Sequence, residues 1–166
     1  MSEKTLLVDE MRLEYSGLFD ETDLFRLIDS VIMERGYIKK EKKHEYIVRP
    51  EGKETNIELR PTKQFEKDFW GMIKMRIKMY DVRDVVVEKD GFRQKMQHGN
   101  ILILFDSWTT TNLEHAWETN PLFVFFRLIY DRFISITYFG KHEGEIIDDT
   151  RYFRKRILGH LNINQK

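Results

Sequence analysis

Residues 69–80 read Phe-Trp-Gly-Met-Ile-Lys-Met-Arg-Ile-Lys-Met-Tyr. Ile73, Met75, Ile77 and Met79 alternate with Lys74, Arg76 and Lys78. Successive side chains of a strand point to opposite faces, so this run carries one apolar and one basic face. No helix sorts these residues so cleanly. The stretch predicts a central strand of an antiparallel sheet, with helices on its apolar side. The expected class is α+β: about five to seven antiparallel strands, an N-terminal helix, and two C-terminal helices packed mainly on one face.

The rest of the chain can be arranged around that strand. Met11, Leu13 and Tyr15 alternate with Arg12 and Glu14, which predicts a strand ended by Ser16-Gly17. Asp20 is placed to cap a helix, and Phe19 with Leu24 has hydrophobic-staple spacing. Leu24, Leu27, Ile28, Val31 and Ile32 form that helix's apolar face, and Gly36 suits its C′ position. Residues 37–49 and 55–60 read as a hairpin across Pro50-Glu51-Gly52-Lys53, and residues 61–67 as a polar connection. Val85-Val86-Val87 and Phe92 flank Asp90-Gly91, a type I′ turn signal. His98-Gly99-Asn100 reads as a further turn. Residues 101–105 are apolar at every position, which predicts a central strand covered on both faces.

Asn120-Pro121 opens a second helix, with Leu122, Phe125, Phe126, Ile129, Phe133 and Ile136 on one side. Residues 140–144 read as a loop, and roughly 146–161 as a last helix with Ile146, Phe153, Ile157 and Leu161 facing inward. No internal repeat or linker interrupts the chain, so residues 1–166 are expected to form a single domain.

Composition removes several functions. There are no cysteines, which excludes disulfides, thiolate metal sites and a cysteine nucleophile. Lys plus Arg equals Asp plus Glu at 28 each, whereas a dedicated non-specific nucleic-acid binder is usually basic. No Walker-type loop, Gly-x-Gly-x-x-Gly or Gly-x-Ser-x-Gly occurs, which argues against nucleotide hydrolysis and dinucleotide chemistry. The apolar-rich run 121–139 holds Arg127, Asp131 and Arg132 near its middle, which argues against a membrane span. A soluble, cytoplasmic protein without a cofactor is the expectation.

Three groups of residues remain as candidates. Lys74, Arg76 and Lys78 cover roughly 13 Å of strand, a length that suits a few phosphates. Glu45 and Glu58 on neighbouring strands could instead neutralise them. Arg151, Arg154 and Lys155, with Arg156 beside them and Tyr152 and Phe153 interleaved, form a second basic group that also complements a helix C-terminus. Arg127, Tyr130 and Trp117 are candidate anchors for an anionic ligand, should a cavity lie between the apolar helix and the sheet. Arg127 and Asp131 could equally pair with each other at i, i+4. Five scattered histidines show no ligand spacing; His115 with Glu114 and Glu118, and His142 with Glu143, Asp148 and Asp149, come nearest to an acid–base or metal cluster.

The order strand, helix, antiparallel strands, long apolar helix resembles the helix-grip architecture of START and Bet v1 proteins. That resemblance implies a curved sheet around a long helix with a ligand cavity between them. It departs from the pattern in having one helix after the first strand and a further helix at the end. The tract Trp117-Glu118-Thr119-Asn120-Pro121, followed by Tyr130-Asp131-Arg132, resembles small uncharacterised prokaryotic α+β proteins. The functional expectation is a binding module that holds a small ligand or a protein partner in its sheet–helix cleft or on its apolar helix. Nucleic-acid binding and a metal-assisted or acid–base enzyme stand behind it.

Overall fold

A computed structural model describes residues 2–112, 121–130, 132 and 136–164. Six strands form one antiparallel sheet: β1 (Ser2–Phe19), β2 (Glu41–Arg49), β3 (Gly52–Leu59), β4 (Thr62–Glu66), β5 (Phe69–Lys89) and β6 (Phe92–Asn112). The spatial order is β1-β6-β5-β3-β2, with β4 also paired to β5. Helix α1 (Glu21–Glu34) follows β1, and α2 (Pro121–Tyr130) and α3 (Ile136–Ile163) follow β6.

The alternation in β5 does what its pattern dictates. Ile73, Met75, Ile77 and Met79 are buried in the core with Leu13, Ile101, Ile103 and Phe105. From the helical side, Leu24, Ile28, Val31 and Ile32 of α1 and Ile146, Phe153, Ile157 and Leu161 of α3 complete that core. Asp20 caps α1, its carboxylate accepting the Asp23 amide at 3.1 Å, and Gly36 takes a left-handed φ of 77° just beyond the helix. Asp90 and Gly91, at φ 53° and 78°, close the β5–β6 hairpin as the type I′ signal requires.

The expectation of two C-terminal helices on the sheet is corrected. One C-terminal helix, α3, covers it together with α1, so two helices in total make the layer. They already bury the apolar face of the sheet, which leaves no site there for α2. Leu122, Phe125, Phe126, Leu128 and Ile129 of α2 are instead exposed.

Other boundaries also move. Residues 140–144 lie inside α3, because helix pairing overrides the two glycines; the helix there packs His142 against the Phe65 and Phe69 rings. His98-Gly99-Asn100 is continuous strand, and the irregularity falls on β5 between Tyr80 and Arg83. A Cβ at residue 99 would come within 2.9 Å of Val82, so the glycine there admits the bulged neighbour. β1 is far longer than residues 11–15 and runs through Ser16-Gly17, with an irregularity between Val8 and Met11 where Glu10 takes φ 47°. Residues 62–66, expected as connection, fold back as β4. Finally, Leu102 and Leu104 of β6 remain half-exposed, so the strand is covered by helices on one face only.

Candidate functional site

The face of the sheet opposite the helices carries the site. Cross-strand register builds it from two rows. One row runs Lys43, Glu58, Arg76, Leu104 and Arg12 across β2, β3, β5, β6 and β1. The next runs Glu45, Asn56, Lys78, Leu102 and Glu14. Between them lies a hollow of ≈ 270 Å³ lined by Lys43, Asn56, Glu58, Arg76, Lys78, Leu102 and Leu104, with Ile57 and Ile77 below. The two leucines supply an apolar floor, and three cations stand around it. This follows from the sequence: β6 is apolar at every position from 101 to 105, so whichever residues fill the core, two leucines must lie on the opposite face.

Arg76 is held in place from one side. Its guanidinium donates to Asp106 Oδ2 at 2.9 Å and to Glu10 Oε1 at 3.4 Å. Asp106 is 3% exposed and also accepts the Glu10 amide at 2.7 Å, so the β1 irregularity and the arginine share one carboxylate. The Arg76 Nε–H is shielded from solvent and has no hydrogen-bond partner. A guanidinium has five donors, and leaving one buried and unmade is costly.

The remaining cations of the face are largely neutralised. Lys78 lies 3.5 Å from Glu54, and Arg60 pairs with Glu58. Burial pushes the Glu58 carboxyl up, but the Arg60 hydrogen bond and the charges of Lys74, Arg60 and Arg76 outweigh it and hold it below its ordinary value. The Asn56 hydrogen bond, with Lys78 and Arg49, likewise holds Glu54 low. Lys74 Nζ sits 5.9 Å from the Trp108 ring. Glu58 thus provides the neutralisation expected of it, while Glu45 pairs with Lys43.

The second basic group is elsewhere. Arg151 pairs with Asp148, Arg154 Nε donates to the Arg12 carbonyl at 2.8 Å, and Lys155 points to solvent. All three stand on α3, across the sheet from Lys74, Arg76 and Lys78, so the two groups do not form one surface. Trp117 lies outside the described residues, as do the side chains of Arg127 and Tyr130 and the cluster His115, Glu114 and Glu118. The sheet–helix interior is filled by fully buried side chains, among them Phe19, Phe69, Phe105 and Phe153.

His142 does not meet Asp148 or Asp149; its Nε2 lies 3.6 Å from Glu66. Among the described residues, no group of three or more His, Asp and Glu side chains is arranged to hold a metal ion. Sequence reasoning missed a buried polar pair instead. Tyr37 donates to Asp149 Oδ2 at 3.0 Å, with Arg35 3.5 Å from the other carboxylate oxygen. Burial pushes the Asp149 carboxyl above its ordinary value, against the Tyr37 hydrogen bond and the charges of Lys63 and Arg35. Burial, reinforced by the Asp149 charge, pushes the Tyr37 phenol strongly upward. At 3% and 1% exposure, the pair anchors α3 to the turn after α1 and is closed to substrates.

No protein-family model matches the chain, and no curated protein does. Among solved structures, one of a Staphylococcus aureus protein of unknown function is similar over 93% of this chain and 95% of that one, at 12% identity and a TM-score of 0.21.

Proposed function

We propose that the protein is a binding module whose ligand site is the hollow on the open face of the sheet. The ligand is a small organic anion, a carboxylate or phosphate ester with an apolar portion. The observation that carries this reading is the buried, unpartnered Nε–H of Arg76 beside an apolar floor. An anion accepting from Arg76, with Lys43 and Lys78 alongside, would satisfy that donor, while Leu102 and Leu104 would take the apolar portion. A volume of ≈ 270 Å³ restricts the occupant to a small molecule or one side chain of a larger partner. The sheet–helix cleft implied by the helix-grip order has less support, because that space is packed. Nucleic-acid binding has less support too, because the stripe of cations is paired across strands and the α3 cations stand on the far side.

The test is a nitrogen–proton NMR titration that resolves the arginine Nε–H signals, using short-chain and aromatic carboxylates and phosphate monoesters. The expected result is a saturable shift of the Arg76 Nε–H and the Leu102 and Leu104 methyls, abolished in Arg76→Met. Shifts confined to other arginines, or unchanged affinity in Arg76→Met, would overturn the assignment.

A further inference from the structure

The helix α2 is built to lie in water's least favourable way. Phe125, Phe126, Leu128 and Ile129 are 59%, 59%, 64% and 41% exposed. At about 100° per residue these four side chains span roughly 160° of the helix circumference. A partner helix or groove covers a narrower apolar stripe, about 100° wide. So wide an arc suits a medium that surrounds the helix on several sides.

Length and charge narrow the choice. Ten residues of helix reach about 15 Å, half of a hydrocarbon core of ~30 Å. No described helix is long and apolar enough to cross a membrane. Between Pro121 and Lys141 the sequence carries Arg127, Arg132 and Lys141 against Asp131 alone, although the chain as a whole is formally neutral. Arg132 and Lys141 are exposed. The nearest acids on α3 are otherwise engaged or withdrawn: Glu145 pairs with Lys63 at 2.7 Å, and Asp149 is buried. Apolar and aromatic side chains flanked by cations are the composition of helices that rest in the headgroup region of an anionic bilayer.

We propose that α2 is a membrane-surface anchor that inserts Phe125, Phe126, Leu128 and Ile129 among the acyl chains of an anionic leaflet, with Arg132 and Lys141 at the phosphates. The proposal is independent of the ligand hollow, which lies on β2, β3, β5 and β6.

The experiment is vesicle flotation of the full chain with phosphatidylcholine alone and with a phosphatidylcholine–phosphatidylglycerol mixture. Wild type is expected to float with the mixed vesicles, and less so as salt is raised. Phe125→Ser/Phe126→Ser is expected to lower the partition coefficient by at least about tenfold, since each phenylalanine removed from an apolar medium is worth that much or more. Both residues are exposed, so circular dichroism and the melting midpoint should be those of wild type. Protein left unfloated with both vesicle types, equal partition onto neutral vesicles, or flotation unchanged in the variant would each overturn the assignment. So would a lipid-free dimer, seen by light scattering, that the same double substitution dissociates; a second copy would then be the occupant of α2.

Discussion

Asp106→Asn isolates the contact on which the open-face site depends. Asparagine keeps an oxygen that can accept the Glu10 amide, so the β1 irregularity retains its support. What it loses is the charge facing Arg76 and the acceptor at 2.9 Å. A hydrogen bond to a charged partner is worth about 1.5–3 kcal/mol. The carboxylate is 4% exposed but the Arg76 side chain is 38% exposed, and solvent reduces the attraction on that side. The expected cost is therefore about 1–2 kcal/mol, and the measurement is equilibrium urea unfolding followed by circular dichroism. For a chain of this size that corresponds to a fall in midpoint of roughly 0.5–1 M. The decisive number is the coupling. In an Arg76→Met background the same substitution should cost about 1 kcal/mol less, because its partner is already gone. An Asp106→Asn protein as stable as wild type, or a cost that is identical in both backgrounds, would refute the claim that this carboxylate holds the arginine.

Two further predictions probe how α3 is seated. A Cβ at Gly71 would lie 2.6 Å from Ile146 Cδ1 and 2.9 Å from Phe65 Cε2, so Gly71→Ala should destabilise by about 1–3 kcal/mol, with Ile146→Val relieving part of the loss in the double variant; additive unfolding energies would refute the contact. Asp149 has its proton affinity raised by burial, so the fold favours its neutral form: that contribution is present below the ordinary value of 3.8 and is lost as pH rises through the higher native value. Asp149→Asn should therefore gain on wild type as pH rises across that window. Unfolding titrations of both proteins at a series of pH values check this, and a stability difference that is flat with pH would refute it.

The local codes were legible because they are periodic or steric. Alternation in residues 73–79 set the two faces of β5 without reference to any neighbour. The Asp20 cap, the α1 stripe and the Asp90-Gly91 turn each depend on a few adjacent residues. The candidate stripe Lys74, Arg76 and Lys78 was placed on one open face for the same reason. The Arg76 anchor was not legible, since Asp106 lies 30 residues away and Glu10 lies 66 residues away in the chain. Nor was the Tyr37–Asp149 pair, whose members are 112 residues apart.

Residues 140–144 show how tertiary structure decides against local preference. Two glycines and a short polar run weaken a helix by about 1 kcal/mol per glycine. The packing of His142, Ile146 and the buried face beyond them offsets that loss. Apolar character also misleads where it has no direction. The stretch from 121 was expected to cover the sheet because apolar residues seek burial, but hydrophobic burial is non-directional and does not name the surface that supplies it. Alternation, caps and turns determined that this chain forms a two-faced antiparallel sheet. Only the tertiary arrangement decided that α1 and α3 cover one face, that β6 leaves Leu102 and Leu104 on the other, and that α2 keeps its apolar side chains exposed, because one sheet face has room for only two helices.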